Sequence, residues 1–181
     1  MQRRSAVRAL AALAAALGVA IGWTTRLGTR WPSIYFMTGP SMEPAVRMEQ
    51  YFLAWDPPGR LSRGDLVLFR FVDADGEFHV LRRIAGMPGD TVSMQDGAAI
   101  VNGQRQPWGF RILEPAAWRS TLALDENLYT WGPMIVPPDS LVLLADTRDV
   151  LGWPDSRFIG FVPQTDIVAR ATRTLSGRRL R

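Results

Sequence analysis

The stretch "SRGDLVLFRFV", residues 62–72, sets the fold class of this chain. Its opening residues favour a turn, and the apolar run that follows is short and rich in Val, Leu and Phe. Such a run, bounded by turn residues, reads as a buried β-strand. Working outward, "SIYFM" (33–37) is β-branched and aromatic, as strands prefer. "TVSM" (91–94) and "AAIVNG" (98–103) flank "QDG", the signal of a hairpin. "SLVLLA" (140–145) and "FIGFV" (158–162) are further strand candidates, punctuated by "PP", "GWP" and "VPQTD". "TDIVARATRTL" (165–175) is ambiguous between helix and strand. Residues 104–133 are richer in Trp and Pro and lack strand alternation, so they are expected to form an insertion or cap on the β core. The expectation is a mainly β domain over residues 31–181.

Ahead of that domain, residues 1–30 form a basic segment followed by an uncharged run from Ala9 to Thr25. The run is slightly shorter than the roughly 20 apolar residues that span a bilayer comfortably. It lies between a secretory leader and a short membrane anchor; the reading adopted is a retained anchor helix. Arg3, Arg4 and Arg8 before the run favour a cytoplasmic N-terminus and an extracytoplasmic domain.

Composition removes several classes of chemistry. With no cysteine among 181 residues, disulfides, thiolate metal sites and cysteine nucleophiles are excluded. A single histidine, His79, argues against a multi-histidine metal site, and no cofactor is expected. The net charge of +4 is concentrated at the two ends. No aromatic-interleaved basic stripe or recognition helix accompanies these charges, so a lipid bilayer rather than nucleic acid is the expected partner. Every Lys-or-Arg position is arginine: the chain contains no lysine.

Ser41, in "GPSMEP" (39–44), is either a turn residue held between prolines or a nucleophile. Four stretches bear on the choice: "GPSMEP", "RGDLVLF" (63–69), "VLRRIAGMPGD" (80–90) and "ADTRDVLGWPDSRFIGFV" (145–162). In that order, behind an apolar N-terminal segment, they resemble the type I signal peptidases, membrane-bound serine endopeptidases that remove signal peptides from exported proteins. The small size also fits relatives encoded with conjugation systems. The resemblance implies a curled, barrel-like β-sheet fold, an exported pre-protein's signal peptide as partner, and Ser41 as nucleophile with its backbone N–H in the oxyanion hole. It places Gly39 where some members carry a hydroxyl donor, and aligns Asp155 and Arg157 with a pair that organises the site. A surface ion pair is the alternative for those two. Asp146 fits a second family aspartate, whereas Trp153 stands where many members have a serine that orients the base. Met37, Val46 and Leu81 flank the key positions and are candidates to line shallow apolar substrate pockets; as core residues they need no such role.

The departure from the family concerns the proton. Its general base is a lysine, and the matching residue here is Arg82. Arginine stays protonated in proteins, so it does not take up the serine proton as a desolvated lysine does. Three readings follow. His79, three residues upstream on the same predicted strand, serves as base, although strand alternation turns it to the opposite face. Alternatively, the chain holds extended signal-peptide segments by strand addition without turnover. In the third, Arg82 reflects wholesale loss of lysine from a working ancestor, with impaired activity as its consequence.

Overall fold

The computed structural model describes residues 32–56, 58–111, 129–148 and 154–180. The expected anchor at 1–30, the middle of the 104–133 segment and Trp153 lie outside them. No helix among the described residues is long and apolar enough to cross a membrane.

The described chain is mainly β. Its strands are β1 (Ser33–Phe36), β2 (Tyr51–Trp55), β3 (Leu66–Asp73), β4 (Gly76–Gly86), β5 (Thr91–Gln95) and β6 (Ala98–Val101). They continue with β7 (Gln104–Arg105), β8 (Trp131–Ile135), β9 (Ser140–Leu144), β10 (Val162–Pro163) and β11 (Ile167–Thr174). A one-turn helix, α1 (Ser156–Ile159), and a 3₁₀ turn (Gln164–Asp166) precede and follow β10. A seven-stranded sheet runs in the order β1-β2-β11-β3-β4-β9-β10, and a four-stranded sheet in the order β7-β6-β5-β8. Neighbouring strands are antiparallel throughout.

The apolar run that sets the fold class becomes β3, paired with β11 on one side and β4 on the other. Leu66 and Leu68 join one buried cluster, with Met37, Met42, Phe52 and Leu81. Val67 and Phe69 join another, with Ile84, Leu141 and Leu143. Successive side chains of a strand point to opposite faces. Burial on both faces therefore explains why this strand is continuously apolar rather than alternating. The two sheets meet at a third cluster, where Ala85 and Leu144 pack with Val92, Met94 and Val101. Gly86, at the end of β4, permits that approach: a Cβ there would lie 2.6 Å from Val92 Cγ2 and 2.9 Å from Val136 Cγ2.

Two expectations change, one ambiguity is resolved and one strand is added. "FIGFV" is not a strand throughout: α1 ends at Ile159, Gly160 follows at φ 75°, and only Val162–Pro163 pair. The reason lies just upstream, where the Asp155 carboxylate caps α1 by accepting from Arg157 N. Residues 104–133 are not wholly outside the sheets, since β7 and the start of β8 form the two edges of the four-stranded sheet. "TDIVARATRTL" resolves into the 3₁₀ turn and β11. "YFLAW" (51–55), not among the strand candidates above, is β2; its Phe52 and Ala54 are buried and Tyr51 is exposed, the pattern of a strand with one core face.

Candidate active site

The turn carrying Ser41 is built from its own backbone and pinned from outside. Glu43 N donates to Pro40 O at 3.0 Å and Val46 N to Met42 O at 2.8 Å. Thr147, just after β9, holds the turn twice: its N–H donates to Ser41 O at 2.9 Å and its hydroxyl to Pro40 O at 2.7 Å. Arg111 Nη1 reaches Glu43 Oε2 at 2.5 Å, and the Arg178 guanidinium donates to the Ala45 carbonyl. A serine on a turn tied down from three separate segments has little freedom to re-aim its hydroxyl.

That hydroxyl meets Arg82. Nη1 of Arg82 donates to Ser41 Oγ at 3.2 Å and to Leu81 O at 2.5 Å, while Nε donates to Pro154 O at 2.8 Å. Both residues are 0% exposed. The hydroxyl is covered, with the guanidinium bonded to it. Burial pushes the Arg82 pKa down to about 10; the Asp155 carboxylate works against the shift, Arg157 adds to it, and Asp146 opposes it.

Around this pair lies a buried set of charges that sequence reasoning recognised only in part. Asp155 and Arg157 form an ion pair at 2.8 Å with side chains 0% and 1% exposed, so a solvent-screened surface bridge does not describe it. Asp155 also accepts from Ala145 N at 3.0 Å, tying the start of α1 to the end of β9. Asp146 takes a two-point bond from Arg83, at 2.8 and 2.6 Å, in a setting equally buried. Burial pushes the Asp146 carboxyl up, against the pull of Arg83. Arg148, absent from the sequence-based candidates, is buried too; it donates to Gly97 O, stacks over Phe110, and is pushed down to about 10 by desolvation. The motif "ADTRD" holds the signal for Thr147 and Arg148, but nothing in a string of residues tells a buried arginine from a solvated one.

Next to the Ser41–Arg82 pair lies a trough of about 320 Å³. Its lining comes from the arm around β1 (Tyr35 to Thr38), from Phe52 of β2, from Leu68 and Phe71 of β3, and from residues 78–82 of β4, ending at Arg82 and Pro154. Strands at positions one and five of the sheet order border one trough, so the sheet is curled. Met37 and Leu81 line it. Val46 does not: the Val46 N–H to Met42 O bond folds its side chain into the core, where it is 0% exposed. Gly39 is buried beside the turn and is not part of the lining. His79 lines the outer part of the trough, pairs across the ladder with Arg70, and lies 3.9 Å from Glu77 with a side chain 40% exposed. The aromatic lining (Tyr35, Phe36, Phe52, Phe71, Phe78) was not anticipated, because its members sit on four different strands.

The family model for signal peptidase, peptidase S26, matches residues 7–175. The chain therefore belongs to the signal peptidase family, peptidase S26. It is 30% identical over 146 residues to a signal peptidase I of Leptolyngbya laminosa, covering 73% of this chain and 61% of that one. A probable signal peptidase I-2 of Synechocystis is 31% identical over 143 residues, covering 75% and 59%. This chain thus spans about three fifths of the length of these relatives. A crystal structure of a signal peptidase I from Enterococcus faecalis V583 overlaps 61% of this chain and 95% of that one, at 21% identity and a TM-score of 0.40.

Proposed function

We propose that this chain is a membrane-anchored serine endopeptidase of the signal peptidase I type, acting on the leader segments of exported or conjugation-related pre-proteins outside the cytoplasmic membrane. In this reading Ser41 is the nucleophile, the trough holds the apolar residues before the scissile bond, and Asp155 with Arg157 fixes the wall behind Arg82. The observation that carries it is the 3.2 Å contact between Ser41 Oγ and Nη1 of a buried cation in the family's base position. The anchor and its orientation rest on the N-terminal charge pattern.

Chemically, Ser41 Oγ attacks the scissile carbonyl, an acyl ester forms, the amine leaves with a proton, and water then releases the acyl group. The serine proton must go to a base during attack. Arg82 at neutral pH donates to Oγ and does not accept from it. Its charge lies where negative charge develops in the tetrahedral intermediate, which favours that intermediate electrostatically. Proton removal is therefore the limiting deficit. Even lowered to about 10 by burial, the Arg82 pKa leaves the guanidinium charged at pH 7.

A second reading has its own support: the complete burial of Ser41 beneath a donating guanidinium favours a relative that holds extended leader segments without cutting them. Co-expression with a pre-protein separates the two. Under the peptidase reading, processing is measurable and is lost in Ser41→Ala. Retention of an uncut pre-protein by wild type and Ser41→Ala alike rejects peptidase activity in favour of the holding role.

A further inference from the structure

The C-terminal hairpin builds a second polar cavity, apart from the trough, of about 260 Å³, lined by Asp65, Arg170, Thr172, Arg173 and Arg179 with Leu180 at its base. After β11 the chain turns at Ser176 and Gly177, and Gly177 N donates to Thr174 O at 2.9 Å. The returning residues then pair with the strand they have just left. Thr174 N donates to Arg178 O and Leu180 N to Thr172 O, each at 2.9 Å, and these two bonds bracket a bridge between Arg173 and Arg179. Arg173 and Arg179 thus form the non-hydrogen-bonded kind of antiparallel pair, in which side chains stand closest and on the same face. Like charges in directly opposite positions destabilise a ladder.

The third arginine arrives through an irregularity. Arg170 and Arg173 are three residues apart, which in a regular strand places them on opposite faces. The register of β11 against β2 shifts between Ala171 and Arg173, and this bulge re-aims one side chain so that both border the cavity. Arg170 donates to Arg60 O at 2.9 Å and approaches Asp65 Oδ2 at 3.5 Å, while its buried Nε has no acceptor among the described residues. Three arginines and one aspartate line the cavity, and a buried guanidinium donor belongs to one of them. A tetrahedral oxyanion with several acceptor oxygens matches converging guanidinium donors.

We propose that this cavity binds a phosphate-type anion, either free phosphate or the phosphate of a lipid headgroup. Its occupant offsets the Arg173–Arg179 repulsion and holds the C-terminal hairpin in place. The hairpin in turn touches the serine turn from its other side: Arg178, next to Arg179 in sequence, donates to Ala45 O, and Leu180 packs in the cluster that contains Met37 and Met42.

The test is calorimetric titration and thermal melting of the full chain with inorganic phosphate, at ionic strength held constant with sodium chloride. Wild type is expected to give saturable heat and a rising Tm. Arg179→Glu is expected to weaken binding at least tenfold and, without phosphate, to melt at or above wild type, because the substituted carboxylate faces Arg173. Arg179→Gln is expected to weaken binding without that compensation. Vesicles of phosphatidylcholine with phosphatidylglycerol then identify the source: competition with phosphate assigns the site to a headgroup, and none assigns it to the free ion. Equal phosphate-induced shifts in wild type and both variants would mean general salt exclusion from the surface and would overturn the proposal. So would a phosphate-free Arg179→Glu that melts below wild type.

Discussion

Arg82 and Arg83 are neighbours on one strand, both buried, and held in opposite ways. Arg83 faces a carboxylate squarely: both Asp146 oxygens accept from it, and a third bond goes to Gly64 O. Arg82 donates to a hydroxyl and two backbone carbonyls, Ser41 Oγ, Leu81 O and Pro154 O. A cation matched by a two-point carboxylate is a structural element. Arg82, whose bonds named here go to a hydroxyl and two carbonyls, has its pKa lowered to about 10 chiefly through desolvation, with Asp155 opposing the shift. The largest effect expected on breaking this contrast falls on the structural side. Asp146→Asn leaves Arg83 with its charge unmatched in the interior, at a cost of about 3–5 kcal/mol. Urea unfolding should report this as a large drop in midpoint. A loss below about 1 kcal/mol would mean that Arg83 re-pairs elsewhere and that the two arginines are alike after all.

On the reactive side the comparison predicts a gain. Arg82→Lys replaces a group that keeps its proton near neutrality by one that a buried site neutralises there, so processing of a pre-protein near pH 7.5 should rise by about 100-fold or more. In the unaltered protein, processing should climb nearly tenfold per pH unit from 7 towards 10, the range over which neutral Arg82 accumulates, and then level off. Stability carries a matching sign. The folded chain releases the Arg82 proton near 10 and the unfolded chain at the higher, ordinary arginine value, so the unfolded state binds more protons over the range between them. The burial penalty is fully present below pH 10 and fades as pH rises through that window. Relative to Arg82→Met, wild type should therefore gain stability as pH rises above 10 in denaturant titrations. A flat activity profile together with a flat stability difference would show that Arg82 is not the group that limits attack.

The sequence revealed the strands best where apolar runs met turn residues, as at 62–72 and across the "QDG" hairpin; both are paired as expected. It was weakest where local pattern and tertiary context diverge. "FIGFV" is β-rich in composition, yet Asp155 captures its N-terminal side as a helix cap, and that preference depends on burial beside β9. At the site, the proximity of Ser41 and Arg82 followed from a resemblance between four separated stretches. No local pattern in either stretch encodes a contact between residues 41 and 82. Whether Ser41 is open or covered was not legible at all, because exposure depends on how the turn is pinned by Thr147, Arg111 and Arg178. The aromatic trough escaped for a related reason: each ring is an ordinary strand residue until curling of the sheet brings β1 to β4.

A smaller effect tests how closely the reactive region depends on the sheet contact behind it. Gly86→Ala places a methyl group within 3 Å of Val92 and Val136, both part of the inter-sheet cluster. Overpacking of this kind costs typically about 1–3 kcal/mol. Because Arg82 and Arg83 lie on the same strand as Gly86, a shift of that strand should lower stability and, in the Arg82→Lys background, slow processing at saturating substrate. Loss of stability with unchanged processing would make the inter-sheet contact a support for the fold alone.

The smallest expected effect comes from His79, the one histidine in this sequence and the residue type most often used as a general base. It competes with Arg82 for that role on chemistry and loses on placement. Its side chain is 40% exposed, its Nε2 lies 3.9 Å from Glu77, and it stands opposite Arg70 on the β3–β4 ladder, whereas the position beside Ser41 Oγ is taken by Arg82. A base must come within hydrogen-bond reach of the proton it removes, so placement decides before pKa does. His79→Ala should change processing by no more than about twofold, and the profile between pH 6 and 8 should keep its shape. A loss of a hundredfold or more would place the imidazole at the serine during turnover. The trough would then have to rearrange on binding peptide, and the contrast between Arg82 and Arg83 would describe only the resting protein.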